Sequence, residues 1–329
     1  MQNDFNDNNF KRNSYMPIDA YKVFFWSILG TLLGSFFVAL LLNGISSVSN
    51  INYVELLNNR LVIFFLYLVS PIVFSSLYFL YNKKNKIYQF SELGFKNKFK
   101  PINILFCLLV SLVSLFLLEP FVNLLNYGFS IMGYNPSSVI YKMDTIGRLF
   151  IGIFISAVLP AIFEELLFRG IILNGLLKKF DVASAIILSA LFFMLMHGSL
   201  QQTIYQFILG IIFGAVAYYS GSVIYSMLTH FFNNAIVLII NYVMPALLEG
   251  KTKYNITDFF ISIFFVLVAA LVIYLLIKCI NYTKGDKLEE SEKTKDYNPT
   301  EEMKSKEKVF FFIGLGLSII IWLLNTMVG

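Results

Sequence analysis

Two acidic residues and one basic residue interrupt an apolar stretch in the middle of the chain. Glu164, Glu165 and Arg169 lie within IFISAVLPAIFEELLFRGIILN, whose other residues suit the interior of a bilayer. A charged side chain at that depth costs at least ~2.5–3.5 kcal/mol, so it is kept where it pairs or takes part in chemistry. On a helix, Glu165 and Arg169 are four positions apart and form an ion pair, whereas Glu164 points ~100° away. Glu164 is therefore a candidate catalytic group, and Glu165 with Arg169 a candidate supporting pair.

Further polar residues occur in the apolar stretches that follow. The chain has only two histidines, His197 and His230, and each lies in one of these stretches. Asn234 follows His230 by one helical turn and shares its face, which Asn233 does less well. At a rise of about 1.5 Å per residue, counting from the span ends places Glu164, His197 and Asn234 at one depth, with His230 within a turn of it. The sequence therefore predicts one buried polar site near the middle of the membrane.

These residue types fit the activation of water. Glu164 would act as general base with help from His197, while His230 and Asn234 would donate to a developing oxyanion. The same residues also fit a metal centre, in which Glu164, His197 and His230 hold zinc or another divalent cation and a water occupies the open position. No cofactor is certain from the sequence, and both interpretations stay open.

The composition is typical of a polytopic membrane protein. Of the 329 residues 57% are hydrophobic, 17% are aromatic and 14% are charged, and the mean hydropathy is +0.71. Several apolar runs reach the ~20 residues that cross a bilayer as a helix, which excludes a soluble domain. We expect an all-α integral membrane bundle. Its expected partners include the lipid bilayer and no nucleic acid. The nine predicted spans are residues 23–42, 61–81, 102–118, 149–177, 182–197, 204–219, 222–243, 259–280 and 309–328.

The predicted organisation groups these spans around the polar site. Four of them form a catalytic core with an intramembrane cavity, and the three before it form an N-terminal group. The predicted segments are a polar cytoplasmic tail (1–22), three spans (23–118), an extracytoplasmic loop (119–148), the four-span core (149–245), the eighth span (246–280), a charged linker (281–308) and the ninth span (309–329).

Lysine placement predicts the orientation. Segments 83–100 and 281–308 are rich in lysine, whereas segments 198–203 and 244–258 are poor in basic residues. Basic loops stay on the cytoplasmic side, so nine spans with a cytoplasmic N-terminus satisfy every loop. The many Lys, Asn and Ile codons also favour an AT-rich bacterial genome, and hence a bacterial cell membrane.

Three motifs together resemble the CAAX protease and bacteriocin-processing (CPBP) family of intramembrane proteases, which includes the type II CAAX prenyl endopeptidases. The family pattern E-E-x-x-x-R corresponds to Glu164, Glu165 and Arg169. The pattern F-x-x-x-H corresponds to Phe193 and His197, and H-x-x-x-N to His230 and Asn234. The resemblance covers about residues 145–245 and leaves the charged linker and last span as additions.

The resemblance implies an endopeptidase that cuts membrane-associated peptides or protein tails. It implies Glu164 as the base, His197 as its partner, and His230 with Asn234 as oxyanion donors, while Glu165, Arg169 and Phe193 have supporting roles. Family members are described both as metalloproteases and as metal-independent glutamate proteases, and the second fits two histidines better. The alternatives are a non-catalytic scaffold or bacteriocin-immunity protein of the same fold and, less well supported, a proton-coupled transporter. The substrate and the oligomeric state do not follow from the sequence.

Overall fold

The chain is all helical in the residues that the structure describes. This computed structural model covers residues 14–49, 51–85, 93, 99–134, 142–198, 200–245, 253–284, 303 and 305–328. No β-strand occurs in these ranges, which confirms the predicted fold class. The helices are α1 (Pro17–Ser49), α2 (Tyr53–Leu57), α3 (Arg60–Asn85), α4 (Ile102–Ile131), α5 (Ile146–Leu176), α6 (Val182–Met196), α7 (Leu200–Ser220), α8 (Val223–Val243), α9 (Ile256–Lys284) and α10 (Ser305–Val328).

Eight of these helices are long and apolar enough to cross a membrane, and the protein is therefore a polytopic membrane protein. The two exceptions are α2, which has five residues, and α6, which is an apolar helix of 15 residues. At a rise of about 1.5 Å per residue α6 is ~22 Å long, shorter than the ~30 Å hydrocarbon core. The prediction of about nine spans is therefore met by eight helices of full length, with α6 in the place of the fifth.

The predicted loop over residues 119–148 is wrong in its first part, because α4 continues to Ile131. Pro120 lies inside this helix, as membrane helices tolerate when neighbouring groups replace lost hydrogen bonds. The Ser262 hydroxyl of α9 donates to the Pro120 carbonyl at 3.2 Å. Residues 135–141 lie outside the described part of the chain.

The predicted N-terminal tail and the predicted charged linker are also shorter than expected. α1 begins at Pro17, and the Asp19 carboxylate in its first turn accepts hydrogen bonds from the Met16 N–H at 2.7 Å and the Tyr81 hydroxyl at 2.6 Å. The residues at both ends of the predicted linker are helical instead, since α9 continues to Lys284 and α10 begins at Ser305. Residues 1–13 and 285–302, which carry the rest of both predictions, lie outside the described residues.

Two apolar clusters hold the bundle together. One joins α1, α3, the second half of α5, α6 and α10, and includes Phe24, Phe168 and Phe192. The other joins α4, α7, α8 and α9 around Cys107 and Phe213. The polar residues of α5 and α8 lie where these two clusters meet.

α5 widens into two π-helical segments, one on each side of the turn that contains Pro160. They span Phe154–Val158 and Leu166–Leu173, and they flank the turn with the two glutamates. Such segments occur often at functional sites, because they redirect side chains from the regular helical spacing. Pro160 supplies no N–H to the Ser156 carbonyl four residues earlier. The widened backbone therefore has carbonyl groups that side chains of other helices can reach.

Two glycines of α7, Gly210 and Gly214, bring α6 and α7 together. A Cβ atom on Gly210 would lie 2.9 Å from Ala190 Cα, and one on Gly214 would lie 3.2 Å from Ile186. Only glycine permits this approach, which exposes the backbone of α7 to the site residues of α5.

Candidate active site

The Glu165–Arg169 pair is fully buried between α5, α7 and α8. Arg169 Nη1 donates to Glu165 Oε1 at 2.8 Å, and Nη2 donates to the Gly210 carbonyl at 3.0 Å. The Ser226 hydroxyl makes a short hydrogen bond to Glu165 Oε2, while Arg169 Nε has no partner among the described residues. The expected ion pair is thus present, and it also ties three helices together.

His230 lies between the two glutamates. Its Nδ1 is 2.9 Å from Glu165 Oε1, and its Nε2 is 4.0 Å from Glu164 Oε2. An ionised Glu165 only accepts hydrogen bonds, so Nδ1 carries the proton and Nε2 faces Glu164. A gap of 4.0 Å exceeds a direct hydrogen bond and is wide enough for a bridging water.

The carboxylate of Glu164 differs from that of Glu165 in its exposure and in its hydrogen bonds. Its side chain is 15% exposed, whereas that of Glu165 is 0% exposed. No direct hydrogen bond holds Glu164 among the described residues, and His230 is its nearest ionisable contact there. The catalytic role of Glu164 stays a prediction.

His197 lies at the end of α6, where its ring orientation is fixed by the backbone. Nδ1 is 2.9 Å from the Phe193 carbonyl, which can only accept, so Nδ1 is the protonated nitrogen and Nε2 is left for a ligand or water. The described contacts join His197 to Phe193 and not to Glu164. The partnership of His197 with Glu164 therefore stays a prediction.

Asn234 reaches the widened part of α5. Its Nδ2 donates to the Ser156 carbonyl at 3.0 Å, which is the carbonyl that Pro160 cannot serve. Its Oδ1 accepts from Asn233 Nδ2 at 3.2 Å, and Asn233 Oδ1 in turn accepts from the Tyr205 hydroxyl at 3.1 Å. One N–H of the Asn234 amide is therefore used, and the second has no partner among these contacts.

Aromatic rings surround the charged groups. Arg169 lies 4.6 Å from the Phe193 ring centroid and 5.4 Å from that of Phe213. Phe193 also meets His197 and His230 edge to face, and Phe213 stacks on His230 at 4.8 Å. These rings exclude water from the ion pair and stabilise the guanidinium through cation–π contact.

Sequence reasoning missed Ser226, Phe213, Tyr205 and the backbone of Gly210. Ser226 precedes His230 by one turn and shares its face, so helical spacing was an available signal. The other contacts depend on how α7 packs against α5 and α8, which no local pattern reveals.

The last helix also touches the histidine turn, although the motifs do not include it. Asn325 Nδ2 of α10 donates to the Gly198 carbonyl at 2.8 Å, directly after His197. The Trp322 indole N–H donates to Thr203 Oγ1 at 2.7 Å. Gly198 has a φ of +58°, a conformation that favours glycine and lets the chain turn sharply.

A metal centre was tested on the same residues. His230 has the carboxylate behind its Nδ1 that zinc ligands usually have, and the donor types suit zinc. The described residues nevertheless contain no group of three His, Cys, Asp or Glu side chains close enough to hold an ion. The geometry of the described residues therefore does not fit a resident metal ion.

Comparison with known families identifies the central part of the chain. The family model "Type II CAAX prenyl endopeptidase Rce1-like" matches residues 146–236. Residues 146–236 are therefore similar to this family, and we call them the Rce1-like segment. It contains all three motifs, from Glu164 to Asn234, and agrees with the CPBP resemblance. Neither a curated protein nor a solved structure matches the chain.

Proposed function

We propose that the protein is an intramembrane endopeptidase that hydrolyses peptide bonds with a water activated by Glu164. The observation that carries this proposal is the 4.0 Å gap between Glu164 Oε2 and His230 Nε2 inside a buried site. A water beside these two atoms can form hydrogen bonds to both, with the carboxylate of Glu164 as the base and Nε2 of His230 as the second partner. The Rce1-like match to the same segment supports peptide-bond hydrolysis as the reaction.

The first step is attack on the peptide carbonyl. Glu164 takes a proton from the water while the water oxygen bonds to the carbonyl carbon. The negative charge then moves to the carbonyl oxygen. For His230 to donate to that oxyanion through Nε2, both of its nitrogens must carry a proton. The Glu165 carboxylate at 2.9 Å from Nδ1 stabilises this imidazolium.

The second step is collapse of the tetrahedral intermediate. The C–N bond breaks as Glu164 returns its proton to the leaving nitrogen, which yields one new carboxyl terminus and one new amino terminus. The unused N–H of Asn234 is the second oxyanion donor, and the Ser156 contact holds its amide in place. His197, whose ring is held by the Phe193 carbonyl, orients the water or substrate through its Nε2.

The substrates that fit this setting are membrane-associated peptides or protein tails. Bacteria generally lack prenylated CAAX proteins, so in a bacterial membrane we expect a peptide pheromone, a bacteriocin precursor or a membrane protein as the substrate.

Peptide cleavage in proteoliposomes tests this proposal. A mixture of membrane-anchored peptides is incubated with the wild type, Glu164→Gln or the matched control Gln202→Glu, and new termini are mapped by mass spectrometry. Cleavages made by the wild type and the control but absent with Glu164→Gln support the proposal. Identical products from Glu164→Gln, or none from a folded wild type, would contradict it and favour the scaffold alternative.

A further inference from the structure

An elongated cavity lies between α4, α7 and α9, away from the candidate active site. Its volume is about 570 Å³, and apolar side chains form most of its wall, among them Leu118, Ile208, Ile212, Val266 and Ile273. On α7, Ile208 and Ile212 lie on the face opposite Gly210 and Phe213, which contact Arg169. The cavity and the candidate site therefore use opposite sides of the same helix.

The polar lining groups are gathered at one end. Tyr219, Lys278 and Asn281 lie near the C-terminal ends of α7 and α9, and Tyr274 lies one helical turn before Lys278. No acidic residue is among the described residues of the lining. Lys278 Nζ is 5.4 Å from the Tyr274 ring centroid. The cavity thus has one cationic, aromatic end and is otherwise apolar.

Contacts between α4 and α9 fix the direction of this polarity. Thr283 Oγ1 donates to Asn103 Oδ1 at 2.9 Å near one end, and Ser262 donates to the Pro120 carbonyl at the other. Leu118 therefore lies at the end of the cavity near Ser262, inside the bundle. Lys278 lies at the other end, near the Thr283–Asn103 contact at the surface of the bundle. From Val266 to Lys278 the cavity follows α9 for ~18 Å, about the ~15 Å half-thickness of the hydrocarbon core.

We propose that this cavity binds one acyl chain of an anionic phospholipid, whose phosphate is held by Lys278 and Asn281. Length, apolar wall and single cationic end match the shape of a lipid seated in one leaflet. Tyrosine at the polar end is typical of the membrane–water interface. Lys278 distinguishes anionic from zwitterionic head groups, because a lysine near the surface favours anionic lipid by about five-fold.

Lipid retention by the purified full-length protein tests this site without requiring any cleavage. Native mass spectrometry compares phosphatidylglycerol with phosphatidylcholine of identical acyl chains. We expect about five-fold tighter binding of phosphatidylglycerol, lost in Lys278→Gln and kept in Lys253→Gln, whose lysine precedes α9. Equal affinities for the two lipids, or equal effects of the two lysine variants, would overturn the proposal.

The acyl chain is tested by filling the cavity. Ala270→Trp places a large ring in the lining, whereas Leu271→Trp places it on an exposed neighbouring position outside the lining. We expect lipid retention to fall only in Ala270→Trp, with thermal unfolding recorded to exclude misfolding; should that variant misfold, the surface variant Lys278→Gln decides. Retention unchanged in a folded Ala270→Trp would overturn the site. Displacement of phosphatidylglycerol by inorganic phosphate alone would assign Lys278 to a free anion and also overturn it.

Discussion

At the scale of residues, two adjacent glutamates have opposite surroundings. Glu165 is held by Arg169, His230 and Ser226, so its carboxylate is committed to the protein. Glu164 has no direct hydrogen bond among the described residues, and its Oε2 lies 4.0 Å from His230 Nε2. One carboxylate therefore organises the site while its neighbour is available to react.

Removing each glutamate should have a different effect. Glu164→Ala should abolish cleavage and leave the melting temperature nearly unchanged. Glu165→Ala strands the buried Arg169 and should lower the free energy of unfolding by about 3–5 kcal/mol. A cleavage assay and a thermal melt of both variants measure this; equal activity and equal stability would refute the division of roles.

The oxyanion donors and the metal question can be tested together. His230→Ala and Asn234→Ala should each reduce turnover about 100–1000-fold, the usual loss for one such donor, with little change in substrate binding. Cleavage by the wild type should survive exhaustive chelation. If stoichiometric zinc were lost along with activity and restored it when added back, the metal-free mechanism would be wrong while the peptidase assignment would stand.

At the scale of elements, the turn after α6 depends on a helix outside the Rce1-like segment. Asn325 of α10 holds the Gly198 carbonyl next to His197, and Trp322 holds Thr203 at the start of α7. A helix that the motifs leave out as an addition is thus in contact with the turn that carries a candidate catalytic histidine.

Loss of the Asn325 contact should affect turnover more than stability. A shift of His197 that raises the activation barrier by about 1 kcal/mol corresponds to a roughly five-fold decrease in kcat. We expect this decrease in Asn325→Leu with an unchanged KM and only a small fall in the melting temperature, since one hydrogen bond contributes about 1 kcal/mol to stability. We expect no change in Leu324→Ala, its exposed neighbour. A kcat equal in the two variants would exclude a positioning role for Asn325.

Sequence reasoning reaches some of these elements and not others, for physical reasons. The spans and the Glu165–Arg169 pair follow from hydropathy and from i,i+4 spacing, which are local properties. The extension of α4 past Pro120 is not local, since it depends on tolerance of proline in a packed helix. Likewise, the bond between His230 and Glu165 joins residues 65 positions apart, and the Asn325 contact joins residues 127 apart. Only tertiary packing determines those.

At the scale of the whole molecule, contacts at both ends of α10 bear on whether α6 crosses the membrane. Lys179 pairs with Glu307 at 3.6 Å near the start of α10, and Gly198 meets Asn325 near its end. The 18 residues from Glu307 to Asn325 rise ~27 Å, so α6 and its flanks cover nearly the depth of a full span. We therefore expect nine crossings even though α6 has only 15 residues.

Topology mapping measures this expectation. Cysteine accessibility in intact cells should place residues 83–100 and 281–308 in the cytoplasm with the N-terminus. Residues 244–258 and the C-terminal end of α10 should be outside. Finding residues 281–308 outside would show that one of the predicted crossings does not occur.

The origin of the oxygen in the new carboxyl terminus tests most directly whether Glu164 activates water. A single turnover of a cleaved peptide is run in water enriched in ¹⁸O, with wild type and Glu164→Gln, and the products are weighed by mass spectrometry. We expect one ¹⁸O atom in the new carboxyl terminus from the wild type and no product from Glu164→Gln. A first-turnover product without ¹⁸O would mean that a protein carboxylate attacks the peptide itself, and an undiminished rate in Glu164→Gln would remove Glu164 from the chemistry.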